Sequence, residues 1–132
     1  MNTKLLIVPC SQSKKGRNFA IGVRSINDFI SPEISDSLRS ARRAAFQRPN
    51  TKLDVESEGI PALFRYSGNM WSVEGFRQAV IDALSNGLHV LVESGGYGLI
   101  RIEEQIQNYE ASMNRTAPVW RPVLPPESSR PP

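Results

Sequence analysis

Three short segments hold the side chains that could do chemistry: Pro9-Cys10-Ser11-Gln12-Ser13-Lys14-Lys15-Gly16, Tyr66-Ser67-Gly68-Asn69-Met70-Trp71 and Ser94-Gly95-Gly96-Tyr97-Gly98. Lys14 is the best cationic candidate, able to hold a phosphate or to act as a nucleophile if burial lowers its pKa. The bland alternative is a solvated loop lysine, and Lys15 beside it competes for the role. Cys10 is a reactive thiol if a neighbouring lysine stabilises the thiolate; otherwise it is a small strand-end residue. Glu93, at the end of an apolar run, would serve as a general base if buried, or form a salt bridge, for instance with Arg101. Tyr97 and Tyr109 offer rings for base stacking or hydroxyls for hydrogen bonding, with core packing the competing role for Tyr109. In the third segment the paired glycines let backbone N–H groups approach an anion closely, or merely satisfy a tight turn; the G-x-G-x-x-G dinucleotide spacing is absent. Lys14, Glu93 and Tyr97 are thus the catalytic candidates. The ligand-binding candidates are Cys10, Ser11, Ser13, Tyr66, Gly68, Ser94, Gly95, Gly96, Gly98, Arg101 and Tyr109.

Each of these segments follows a short apolar run that reads as a strand: Leu5-Leu6-Ile7-Val8, Ala62 to Tyr66, and Leu88 to Val92. The first run is apolar throughout, the pattern of a strand buried on both faces and central in its sheet. If the strands are parallel, all three loops open on one carboxyl edge, where open α/β folds place ligands. Ser31-Pro32-Glu33 supplies an N-cap, a proline in the first turn and an acid, with Ile34, Leu38, Ala41 and Ala45 at helical spacing. A second helix follows Ser72, with Phe76, Ala79, Val80, Ala83 and Leu84 on one face and Gly87 as its stop. The strand, helix and strand between residues 62 and 92 then form a βαβ unit. Arg101 to Met113 fits a last helix through Ile102, Ile106 and Tyr109. His89 alternates with apolar neighbours and reads as structural. The fold class expected is α/β: one domain over residues 1–113 with a mainly parallel sheet of at least three strands flanked by helices. A tail over 114–132 with six prolines is expected to be disordered or to lie along a partner.

Charge is uneven along the 132 residues. Residues 1–52 carry ten Lys/Arg against three Asp/Glu, whereas 53–132 carry six against ten. A basic first half suits an anionic partner, nucleic acid or nucleotide. Arg39, Arg42 and Arg43 form a stripe on the first helix and, with Lys15, are the phosphate-backbone candidates; an unliganded exposed face is the alternative. One cysteine permits no internal disulfide, and one Cys with one His cannot build an ordinary zinc site. No metal or cofactor is expected. The N-terminal apolar stretch is too short for a signal peptide or membrane span, so a soluble, cytoplasmic protein without membrane contact is expected.

The register Glu93-Ser94-Gly95-Gly96-Tyr97-Gly98-Leu99-Ile100-Arg101, followed by Gln107-Asn108-Tyr109 and Met113, resembles the S-G-x-Y-G-x-x-R…Q-P-Y…M signature of the YaaA peroxide-stress family and the shorter domains related to it. Tyr66-x-Gly68 with Trp71 is similar to that family's second loop, and Lys14 best matches its first-loop lysine. Pro9-Cys10-x-x-x-Lys14 is also similar to the core of archaeosine synthase, a tRNA base-modifying enzyme, but Lys15 and Gly16 replace the proline and tyrosine that follow there. Asn108 stands where the family has proline, and the chain ends where YaaA proteins continue into a longer C-terminal half. The resemblance implies nucleic-acid or nucleotide binding, with action on a nucleobase or DNA protection under oxidative stress. A non-catalytic DNA-binding regulator, or a subunit completed by a second copy or partner chain, is the alternative.

Overall fold

A computed structural model describes residues 4–14 and 24–122. Among these residues the principal sheet has three strands in the order β1 (Leu5–Pro9), β4 (His89–Ser94) and β5 (Gly98–Arg101). β1 runs parallel to β4, with Leu5 opposite His89 and Pro9 opposite Glu93, whereas β5 returns antiparallel from Ser94–Gly98 to Leu91–Arg101. The sheet is therefore mixed rather than mainly parallel. β1 lies at its edge, not its centre, and Leu5 and Leu6 are about half exposed. A uniformly apolar run specifies a strand but not its neighbours, and here the central position belongs to β4.

Alternation along β4 sends its side chains into two different packings. Val90 and Val92, fully buried, join Val8, Leu63, Tyr66, Trp71, Ile100 and Ile102 in the larger core. Helix α3 (Phe76–Ser85) packs there through Phe76, Val80 and Leu84. Leu91 faces the other way onto Leu38, Ala41 and Ala45 of α1 (Pro32–Ala45) and Trp120 of α4 (Met113–Trp120). Each such aliphatic side chain contributes about 1.5–3 kcal/mol by leaving water. α1 begins as its sequence dictates: the Ser31 hydroxyl accepts from Ile34 N, and Pro32 occupies the first turn. α3 starts after Gly75 rather than at Ser72, whose hydroxyl instead accepts from Gly68 N across a 3-10 turn, Asn69–Ser72.

Two expected elements take other forms. Ala62–Arg65 is a helical turn, α2, not a strand. All four of its residues are buried, a pattern that an apolar run meets equally well in either conformation. Its first N–H groups are satisfied by carbonyls: Ala62 N donates to Glu104 O and Leu63 N to Ile102 O. With no strand there, the expected βαβ unit over 62–92 is not formed. The Arg101–Met113 stretch is not a helix either. It contains β6 (Gln105–Ile106), paired antiparallel with β3 (Ile60–Pro61), and β7 (Tyr109–Glu110), paired with β2 (Lys52–Leu53). Among the described residues the last helix is instead α4, which carries regular structure from Met113 to Trp120. Trp120 is buried and donates its indole N–H to Gly95 O at 2.8 Å. Residues 123–132 of the expected tail lie outside the described residues. Among the described residues no helix is long and apolar enough to cross a membrane.

Candidate functional site

Because β1 and β4 are parallel, their following loops leave from the same sheet edge. Cys10 N donates to Glu93 O at 3.1 Å and holds the two strand ends together. The chain then bends, with Ser13 N donating to the Ser11 hydroxyl. The Tyr66–Trp71 loop joins it, although it follows α2 rather than a strand: Ser11 Oγ donates to Ser67 O at 2.9 Å, and Ser67 N donates to Ser13 O at 2.8 Å. Gly68 makes this junction possible. Its φ is +120°, and a Cβ there would lie 3.2 Å from Ser11 Oγ and 3.3 Å from Ser13 Cβ. All three sequence segments thus converge.

At their meeting point a buried hydroxyl cluster forms. Tyr66 OH and Tyr109 OH are 2.6 Å apart, Tyr109 OH is 2.7 Å from Ser94 Oγ, and Tyr66 OH approaches Ser94 Oγ at 3.3 Å. Ser94 Oγ also accepts from Tyr97 N at 2.9 Å, which fixes the turn after β4. Burial pushes the Tyr66 and Tyr109 phenols above their ordinary range, so both are neutral donors at physiological pH.

Lys14 lies over this cluster. Its Nζ is 4.4 Å from the centre of the Tyr109 ring and 5.9 Å from that of Tyr66, and it donates to Gln12 O at 3.0 Å. Burial lowers its pKa below the usual lysine value, while Cys10 and Glu110 pull it partly back up. The amine faces a cavity of about 620 Å³. Cys10, Ser11, Gln12 and Lys14 make one wall; Asn50 and the stretch from Tyr109 through Glu110, Ala111, Ser112, Met113 and Asn114 to Arg115 make the rest. The arrangement offers a partly desolvated amine, one carboxylate, one further cation and several neutral hydrogen-bonding groups around space for a small polar ligand.

The glycines of the third segment are occupied otherwise than an anion-binding turn requires. A Cβ on Gly95 would fall 1.9 Å from Ala111 O, one on Gly96 would strike the Phe46 and Tyr109 rings, and one on Gly98 would enter the Trp120 ring. All three are buried and permit close packing. Tyr97 packs edge to face on Tyr109 and Phe46, and its hydroxyl accepts from Gln107 N. It lines shallower clefts beside Arg42 rather than the Lys14 cavity. Glu93 is half-buried between Pro9 and Leu99 in the sheet and is likewise not on the cavity wall.

Arg101 is taken up by the fold. It is 1% exposed, pairs with Glu103 at 2.9 Å, contacts His89 Nδ1 at 3.0 Å and stacks on Phe29. His89 takes part in this packing, its ring edge-on to Phe29 at 5.6 Å. The arginine stripe divides: Arg42 donates to Tyr97 O and Leu99 O, Arg39 pairs with Asp36 on the surface, and Arg43 is exposed. Lys15 lies outside the described residues. Asn50, Glu110, Ser112, Asn114 and Arg115 are wall residues that sequence reasoning missed, because they fall in a presumed loop, helix and tail. Ser112 directly before Met113, an N-cap position, was the available signal.

Compared with models of protein families, with curated proteins and with solved structures, the chain matches none.

Proposed function

We propose that the Lys14 cavity is a binding site for a nucleotide or a nucleotide unit of nucleic acid, in a domain of YaaA-like type. The observation that carries this reading is the position of Lys14: its ammonium group fronts an open cavity over an aromatic ring and forms no ion pair among the described residues. A cation held this way, with Arg115 also lining the cavity, suits a phosphate, and the serine, asparagine and glutamate groups suit sugar hydroxyls and base edges. The buried Ser94–Tyr66–Tyr109 cluster acts beneath it as a rigid floor that keeps the Tyr109 ring under the amine. Action on a nucleobase belongs to the same reading, since a flipped or unpaired base is what such a pocket would receive.

Electrostatic DNA binding without a pocket is the second reading, favoured by the exposure of Arg39 and Arg43 on α1. Titrating the protein with single- and double-stranded DNA, RNA and free nucleotides at two salt concentrations separates the two. The cavity reading expects Lys14→Ala to abolish binding and charge reversal at Arg39 and Arg43 to spare most of it. The opposite pattern, with a steep salt dependence, would place the ligand on α1.

A further inference from the structure

We propose that Lys14 is an imine-forming nucleophile whose amine condenses with a sugar aldehyde carried beside a phosphate, the chemistry offered by an abasic nucleotide or a free sugar phosphate. The inference rests on the cavity being the ligand site and names what it takes. Three features of the wall support it. Among the described residues Nζ makes one hydrogen bond, to Gln12 O, and lies over the Tyr109 and Tyr66 rings at the cavity, so its lone pair can reach a ligand there once the proton has left. Glu110 adds an exposed carboxylate to the cavity lining, near enough for its charge to act on the Lys14 amine, where it can accept that proton and return it. Arg115 and Ser112 also line the cavity and can share the phosphate with Lys14. Burial favours the neutral amine, the form that attacks.

The step balances without any redox partner. Glu110 takes a proton from the Lys14 ammonium, the neutral Nζ gives its electron pair to the aldehyde carbon, and Glu110 passes that proton to the carbonyl oxygen. Glu110 then takes a second proton from Nζ and gives it to the carbinolamine hydroxyl, which leaves as water as the C=N bond forms. Lysine ammonium and aldehyde yield protonated imine and water, and Glu110 ends as the carboxylate.

The chain has four lysines, Lys4, Lys14, Lys15 and Lys52, which makes the test compact. The full chain is incubated with sodium cyanoborohydride and either an oligonucleotide containing one abasic site or ribose 5-phosphate; adducts are located by peptide mass spectrometry, and binding of the oligonucleotide is read in parallel by anisotropy. The expected result is an adduct at Lys14, at least about tenfold over Lys4 and Lys52, absent in Lys14→Arg and slowed about tenfold or more in Glu110→Gln. An adduct with the oligonucleotide assigns the aldehyde to nucleic acid; one with ribose 5-phosphate alone assigns it to a free sugar phosphate. Labelling spread evenly over the lysines, or centred on Lys15, overturns the inference. Binding of the abasic oligonucleotide without an adduct overturns the imine but leaves the ligand site standing, whereas absence of both binding and adduct overturns the two together.

Discussion

The hydroxyls of Tyr66 and Tyr109 stand 2.6 Å apart in a site where both side chains are almost fully buried, and Ser94 closes the cluster at 2.7 Å from Tyr109. Buried hydroxyls joined in this way stabilise one another, and removing one leaves the others short of partners. Tyr109→Phe should therefore lower stability by about 1–2 kcal/mol. Tyr66→Phe should do the same, and the double variant should lose less than the two single losses combined. Urea denaturation of the three variants gives the coupling directly.

Ionisation of the cluster is opposed by the same burial. All three tyrosines of the chain have pKa values above the ordinary 10.0. An alkaline titration followed by phenolate absorbance should show no tyrosine ionising near pH 10 while the protein is folded, and a single release on unfolding.

Lys14 works in the other direction. Its folded pKa is lower than the unfolded value of 10.5, so between those two values the folded state binds fewer protons than the unfolded state. Stability should then rise with pH across that interval, with the cost of the buried charge persisting below it. The phenols reverse the trend above about pH 10, where unfolded tyrosines lose protons and folded ones keep them. Lys14→Met should flatten the rise below pH 10, measured by denaturant midpoints across the alkaline range.

Gly95 tests whether the third loop is built for packing. Alanine there would put Cβ 1.9 Å from Ala111 O, a clash with backbone that cannot rotate away. Gly95→Ala should destabilise by about 3 kcal/mol or more. Gly59→Ala, whose Cβ would meet nothing nearer than Gln105 at 3.6 Å, should change stability little.

Arg101 and Glu103 form an ion pair with both side chains 2% exposed, and the half-exposed Arg24 reaches the same carboxylate at 3.2 Å. Arg101→Met leaves Glu103 with that weaker partner alone and should cost about 3–5 kcal/mol. Under conditions where the variant remains folded, ligand affinity should match the parent, since Arg101 is absent from the cavity wall.

Local signals carried α1 and β4 into the sequence. Ser31 with Pro32 marked a helix start that tertiary packing had no reason to override, and the run to Val92 became the central strand. Other patterns were degenerate. Ile102, Ile106 and Tyr109 fit a helical period, yet pairing of Ile106 with Ile60 and of Tyr109 with Leu53 drew the chain into two short ladders. Thr116 and Trp120, four apart and both buried, signalled α4, but Pro118 and the prolines after it obscured them. The site was legible in Cys10 to Lys14, since serine and lysine at a run end need no tertiary knowledge, whereas the second and third loops supply only the buried hydroxyls of Tyr66 and Ser94 beneath it. Its far wall was not, since Asn50 and Glu110 through Arg115 reach it only through the β2–β7 pairing and the docking of α4.

Amide chemical-shift mapping with a single-stranded oligonucleotide would locate the ligand on the surface as well as measure its affinity. Ligand in the Lys14 cavity should give saturable shifts clustered at Cys10 to Lys14 and at Glu110 to Arg115, absent in Lys14→Ala. Shifts confined to the Arg39–Arg43 face of α1, or none at all, would contradict it.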